Sequence, residues 1–497
     1  MKTIFKTLAL GALTLAAASC DQLVSETYGA YNSSTFPKTE ADIKALLVGS
    51  VYEPFQSNQY AGLWCNSNRS IWVYNDMCTD ILNCAWQDPM WSDLINVNFN
   101  NIQVEGPALL YRNNINTLTR MSNCIRTIEA TNLDKDVKDG LIAQARCGRG
   151  WMTYLLYDLY GGLQLPTEEV MDNPAGNVIV PRSSAEETAK YAEEDLLFAA
   201  KNLPARYHYG EADYGRFTAA LAYTALMKLY MHDKRWTDAV ECGKELMKPE
   251  YGFDLVRDYK DIFTLENEGN NETIFALCED HGITIQNYLS QVLPSNYPTK
   301  NPNIVAFGGY KMQWSFYRTF EKGDRRLLTI CAEYTTTSGL IRNEKTPGVE
   351  LELGVVPIKY GEDPEDTGSG SAIDQIVYRF ADVLTMQAEA LARVANAPTQ
   401  DAVDLLNRVR TRAGLSEKKL SDFPDLGTFL NAVLTERGHE GWCEGWRRPD
   451  LIRHDKFIAY AKLYKKSRTA EPYMVLFPIP QECINEGRGI ILQNPGY

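Results

Sequence analysis

Between residues 72 and 93 the chain mixes flat rings with hydrogen-bonding groups: Trp72, Tyr74, Trp86 and Trp91 stand among Asn75, Asp76, Asp80, Asn83, Gln87 and Asp88. A sugar has apolar CH faces and polar hydroxyl edges. A ring stacked on the face, with amides and carboxylates at the edge, is therefore chemistry that captures it. A second stretch, Tyr288 to Arg318, places Tyr288, Tyr297, Tyr310, Trp314, Phe316 and Tyr317 among Gly, Pro, Ser and Asn. Rings are abundant throughout, with 28 Tyr, 17 Phe and 9 Trp, so the competing reading of each one as a core residue stays open.

Catalytic signatures are missing from the same sequence. The five histidines, His208, His232, His281, His439 and His454, form no His-Glu-x-x-His pair and read as surface or capping residues. There is no phosphate loop, and Gly368 to Ala372 is not a nucleophile elbow. Glycoside hydrolysis needs only two carboxylates at the right separation, which leaves no mark in sequence spacing. No metal or cofactor is implied. Gly361 to Asp366 reads as an exposed, solvated turn in preference to a calcium loop. The 11 cysteines include no Cys-x-x-Cys pair; most read as buried small hydrophobes, with one local disulfide among Cys65, Cys78 and Cys84 as the alternative. A formal charge of −14 gives no source for phosphate neutralisation, which argues against nucleic acid as a partner.

The first residues read as an address. Lys2 and Lys6 precede an apolar stretch, Leu8 to Ala18, and the small residues Ala16 to Ser19. That stretch is too short for a span, which takes roughly 20 residues. Cys20 follows at once, and the context resembles a bacterial lipobox, in which the cysteine becomes a lipidated N-terminus. Residues 1–19 are thus expected to be a lipoprotein signal peptide and 20–39 a polar tether. Asp21 directs some lipoproteins to the inner membrane.

The elements that must position the rings are helical. Trp236, Ala239, Val240, Gly243, Leu246 and Met247 fall on one 3.6-residue stripe, and Phe217 to Tyr230 carries another. Met231 to Arg235 joins the two as an antiparallel hairpin. The same shape recurs at Gln375 to Thr411. Ala108 to Ala130, Val137 to Tyr160 and Ala185 to Asn202 are further helices, Gly148 and Gly150 weakening the second. The hairpins resemble tetratricopeptide repeats. The expected fold is mainly α: a helical-hairpin scaffold over residues 40–497, one domain, with a few short strands and ligand-loop insertions at about 58–104 and 280–372.

Five blocks then carry a family resemblance. Leu141 to Pro166 (LIAQARCGRGWMTYLLYDLYGGLQLP), Pro181 to Pro204, Gly215 to Tyr230, Tyr378 to Ala390 (YRFADVLTMQAEA) and Leu406 to Leu415 (LNRVRTRAGL) occur in order. Glu436, Arg437, Glu444, Gly445, Arg447, Asp450 and Arg453 follow, and the chain closes on Pro478-Ile-Pro480 and Gln493-Asn-Pro-Gly-Tyr497. Together they resemble the SusD/RagB-like outer-membrane lipoproteins. Arg408, Arg410 and Arg412 near a helix end, with Gly414 as cap, read as scaffold, and Glu389, Glu436 and Glu444 as their partners between helices. The resemblance implies a non-catalytic, surface-exposed lipoprotein anchored in the outer membrane through Cys20. It would bind an oligo- or polysaccharide and deliver it to a SusC-like, TonB-dependent transporter barrel. It also implies ligand contacts on loops, and so singles out Trp86, Trp91, Tyr297, Tyr310 and Trp314 as stacking rings, with Asp80, Asn83 and Arg318 as polar partners. A peptide-binding lipoprotein of the same fold and a surface glycosidase are the alternatives.

Overall fold

The computed structural model describes residues 36–37, 39–56, 63–64, 70–173, 176, 178–368 and 370–497. The expected signal peptide and Cys20 lie outside them, as does Cys65. The described residues before 47 and those from 47 onward belong to two compact units. In the first, helix α1 (Glu40–Leu47) begins at a reciprocal cap in which Thr39 N donates to Asp42 and Asp42 N to Thr39.

The second unit is mainly helical, as the stripes require. Besides shorter helical segments, its helices include α2 (Ile71–Met77), α3 (Pro89–Ile95), α4 (Pro107–Asn114), α5 (Thr117–Glu129), α6 (Lys135–Tyr160), α7 (Ala185–Asn202), α8 (Ala219–His232), α9 (Trp236–Leu246), α10 (Phe380–Ala395), α11 (Gln400–Arg412), α12 (Leu426–Gly441), α13 (Arg447–Arg453) and α14 (Phe457–Tyr464). Neighbours in the chain pack on each other: α5 on α6, α6 on α7, α7 on α8, α8 on α9, α10 on α11. Helix α9 also packs on α10, which joins the two hairpins into one scaffold. The starts are written in the sequence. Ser184 and Glu187 form a capping box at α7, and Thr218, Thr399 and Asp425 accept backbone N–H bonds at the starts of α8, α11 and α12.

Three expectations need correction. Gln375 to Arg379 opens the second hairpin as a strand instead of a helix: the run Gln-Ile-Val-Tyr-Arg is β-branched and aromatic, and it pairs antiparallel with Thr273–Leu277. Ala108 to Ala130 is two helices, broken at Ile115 and Asn116. Gly148 and Gly150 do not interrupt α6, because each lets a neighbour come close. A Cβ on Gly148 would lie 2.4 Å from Val51 Cγ1, and one on Gly150 would lie 3.0 Å from the Ala192 carbonyl oxygen. Beside them Trp151 is fully buried, stacked on Phe55 at 4.4 Å and donating through Nε1 to the Tyr378 hydroxyl at 2.9 Å.

The supposed insertions are not free loops. Every residue of α2 is buried, Trp64 and Trp72 included among the core rings around it. Strand β1 (Leu82–Cys84) pairs antiparallel with β3 (Tyr310–Met312), so the two aromatic stretches close on each other. Strand β2 is Thr273–Leu277, β4 (Tyr334–Thr335) pairs with β5 (Ile341–Arg342), and β6 is Gln375–Arg379.

The arginine motifs are scaffold, but of the expected partners only Glu436 pairs with the 408–412 run, at 3.1 Å from Arg410, while Glu389 pairs with Arg453 and Glu444 with Arg379. Arg326, Arg379 and Arg412 converge on Glu272, Glu436, Glu440 and Glu444 in the interior. Arg326 holds Asp324 at 2.7 Å and Glu436 at 2.7 Å; Arg379 holds Glu272 at 2.7 Å; Arg412 holds Glu272 at 2.9 Å. Arg453 meets Glu389 at 2.8 Å and Asp450 at 2.7 Å, while Arg437 bridges Asp382 and Asp450. Burial pushes the Glu440 carboxyl up, and the guanidinium groups of Arg412, Arg379 and Arg326 outweigh it and hold it well below the usual range.

Two outcomes follow for stability. Glu440→Gln leaves three buried guanidinium groups short of a charge and is expected to cost about 3–5 kcal/mol at neutral pH in urea unfolding. Because the folded-state pKa is depressed, that contribution is present above the ordinary glutamate range and fades as pH falls through it. The gap between wild type and variant should therefore narrow towards pH 3. Gly148→Ala raises helix propensity by about 1 kcal/mol yet drives a methyl into Val51, so a net loss of about 1–3 kcal/mol is expected; a gain would show that α6 can move away.

Candidate functional site

The predicted rings separate into buried and accessible ones. Trp91 is 2% exposed and Tyr310 is fully buried. Neither can stack on a ligand, which corrects both assignments. They pack on Trp86, with ring centroids 5.7 and 5.2 Å from it, and β1–β3 pairing seals them in. Asp80 is corrected too: it is buried and forms a two-pronged pair with Arg447 at 2.8 and 2.7 Å, so its oxygens are already committed.

Trp86 is half-buried. Its Nε1 donates to the Phe307 carbonyl at 3.2 Å, and its indole lies so close over Gly309 that a Cβ there would sit 2.3 Å away. Trp314, also half-buried, donates from Nε1 to the Leu351 carbonyl at 2.9 Å, with Arg318 5.9 Å from its ring and paired to Glu344 at the surface. Asn83 is half-buried on β1, opposite Lys311. Trp86 follows the end of β1 that meets Tyr310, whereas Trp314 follows the end of β3 that meets Leu82. The two indoles thus stand beyond opposite ends of the same ribbon.

Tyr297 belongs to a hollow. It sits in the turn after a helical turn, Tyr288–Val292, is half-buried, and packs on Tyr334 at 5.1 Å. Burial raises its phenol, with Cys331 and Glu362 adding to the effect. It lines a cavity of about 750 Å3, within the roughly 300–1,000 Å3 of small-ligand sites. Leu289, Leu293 and Ile358 supply apolar wall; Asp261, Lys300 and Glu362 supply polar groups. Sequence reasoning missed these polar residues, because they come from three segments brought together only by the fold. Gly361 to Asp366 is an exposed turn only at Pro364 and Glu365. Asp363 is 1% and Asp366 4% exposed, and Asn301 donates to the carbonyls of Asp363, Pro364 and Asp366.

Other ionisable groups serve packing. His439, expected at the surface, is buried, stacked on Phe320 at 4.2 Å and bonded to Thr319 at 2.8 Å; burial lowers its pKa. The His454 side chain is buried beside Glu389. Cys78 and Cys84 are free thiols, raised by burial to about 12. Among the described residues no group of three or more His, Cys, Asp or Glu could hold a metal ion, and no helix is long and apolar enough to cross a membrane.

Comparison with known proteins gives a consistent family. Residues 314–497 match the SusD family. That match covers the C-terminal part of the chain, and there the sequence is SusD-like. A SusD-like protein of Bacteroides ovatus is 23% identical over 362 residues, 68% of this chain and 63% of the relative. SusD-like protein P25 of Formosa agariphila is 23% identical over 519 residues, 93% of each chain. Among solved structures, surface glycan-binding protein A from Bacteroides thetaiotaomicron in complex with laminarihexaose superposes with a TM-score of 0.73 at 20% identity, covering 92% of this chain and 100% of that one. The corresponding protein from Bacteroides fluxus gives 0.76 at 22% identity, covering 93% and 100%. At such identities the likeness shows the SusD fold, with ligand contacts left to each chain's own loops.

The pairing at Asp80 makes a sharp distinction testable. Asp80→Ala leaves the buried Arg447 guanidinium without its partner and is expected to destabilise the fold by about 3–5 kcal/mol in chemical unfolding. A variant as stable as wild type would return Asp80 to the list of ligand contacts.

Proposed function

We propose that this chain captures an oligosaccharide or polysaccharide outside the cell, without altering it, in the cavity that Tyr297 lines. The observation that carries this reading is one accessible ring on a wide hollow whose rim holds carboxylate, amide and ammonium groups. A ring with apolar neighbours suits a sugar face, and the polar rim suits its hydroxyls. The glycan-binding names of the structural neighbours support the same class of ligand.

The delivery step belongs to the proposal as well. Residues 1–19 are removed as signal peptide, residues 20–39 form a tether, and lipid on Cys20 holds the body at the outer membrane. A SusC-like, TonB-dependent barrel receives the glycan. Acyl chains contribute about 0.8 kcal/mol per buried methylene, so several on one residue anchor firmly. Trp86 and Trp314, each half-buried, extend the contact surface for a long polymer beyond the cavity.

Tyr297→Ala tests the site. In affinity electrophoresis through immobilised polysaccharides, retention of a bound glycan should fall about ten-fold or more while the melting temperature changes little. Undiminished retention removes the cavity from the proposal. Released reducing ends in the same incubations would replace capture by hydrolysis.

A further inference from the structure

One carboxylate in the cavity is held differently from the rest. Glu362 Oε2 accepts the backbone N–H groups of Lys300 at 2.8 Å and Asn301 at 3.0 Å. Two adjacent donors on one oxygen fix the carboxylate in a single orientation. Its Oε1 takes no hydrogen bond from any described residue. The loop carrying it is pinned as well, since the buried Asn301 amide donates to Asp363 O at 3.1 Å, Pro364 O at 3.3 Å and Asp366 O at 2.8 Å. Glu362 also lies near enough to Tyr297 to act on its phenol. A stacking ring and a preset acceptor thus share one wall.

The charges facing this space are Asp261, Glu266 and Glu362 against Lys260 and Lys300. Lys359 also lines it, but its ammonium is taken by Glu444. Lys260 stands 4.0 Å from Asp261, so the ammonium groups do not outnumber the acids. A neutral sugar brings hydroxyl donors to Glu362 Oε1. A uronate brings a second carboxylate to a group that cannot turn away, in a space where three carboxylates already face two ammonium groups.

We propose that Glu362 makes this cavity selective for neutral sugars over uronate-bearing ones, its fixed Oε1 accepting a hydrogen bond from a sugar hydroxyl and repelling a ligand carboxylate. The inference rests on the Tyr297 cavity being the ligand site. It is tested by titration calorimetry of the full mature chain with a panel of neutral hexasaccharides, laminarihexaose included, and with oligogalacturonate of the same length.

Wild type should bind at least one neutral hexasaccharide and bind oligogalacturonate at least about ten-fold more weakly. Glu362→Gln still offers an oxygen to both backbone donors; it should weaken the neutral ligand about ten-fold, the loss of one charged hydrogen bond, and strengthen oligogalacturonate. Unchanged binding of both ligands by this variant, with Tyr297→Ala still losing the neutral one, overturns the role of Glu362 and leaves the site standing. Retention by Tyr297→Ala as well overturns the site itself. Wild type preferring oligogalacturonate overturns the selectivity with no variant needed, so the proposal stays testable should Glu362→Gln melt early.

Discussion

Buried guanidinium groups set the terms on which this fold can close. Arg326, Arg379 and Arg437 are at most 1% exposed, and Arg412 is 7% exposed. Removing such a charge from water costs several kcal/mol, and only correctly placed carboxylates offset it. Glu440 meets Arg326, Arg379 and Arg412 at once, so a displacement of α12 leaves three cations unmatched. The partners come from Glu272 just before β2, from β6, α11, α12 and the Asp324–Thr329 turn, with Glu272 and Glu440 168 residues apart in sequence. Such a network adds little net stability over an apolar core of equal volume. What it imposes is registry: strands, hairpin and terminal helices must meet in one arrangement.

The helices were largely legible because a helix advertises itself locally. Ala185 to Asn202 was readable to the residue, since Ser184 and Glu187 mark its start and an apolar stripe continues to its end. The arginine motif at 408–412 was also readable as scaffold, because three charges beside a helix end need partners. The failures share a cause. Gln375 to Arg379 extends a strand because β2 lies beside it, and Gly148 stays helical because Val51 comes close. Both depend on residues about 100 positions away, which no window along the chain contains.

Site residues were less legible for a related reason. Trp86 and Trp91 share one polar stretch and Tyr310 follows two glycines, with no local mark that separates an open ring from a buried one, yet β1–β3 pairing buries two of them and leaves one half-open. A tryptophan contributes about the same apolar area to a core or to a sugar face, so composition cannot divide the two uses. Tyr297 was named as a stacking ring and does line the cavity, whereas Asp261, Lys300 and Glu362 were not named, because neither their type nor their spacing distinguishes them from ordinary surface polar residues. Glu362 differs only in accepting two adjacent backbone donors, a property of folded geometry.

The charge network and the cavity are mechanically one body. From half-open Trp86 a row of rings runs inward through Tyr310, Trp72, Tyr288, Tyr360, Phe263 and Tyr259, each centroid 5.0–5.8 Å from the next. Tyr259 then donates its hydroxyl to the Glu440 carbonyl at 2.7 Å, with Arg412 5.1 Å above its ring. Tyr360 and Lys359, which line the cavity, are links in this chain: the first stacks between Tyr288 and Phe263, and the second is tied to Glu444. A ligand entering the cavity therefore meets a floor braced against the interior. On the proposed function, binding would spend little on ordering that floor, so weak individual contacts to sugar hydroxyls would sum to useful retention. The registry imposed by Glu440 and its arginines reaches the surface as a fixed cavity shape.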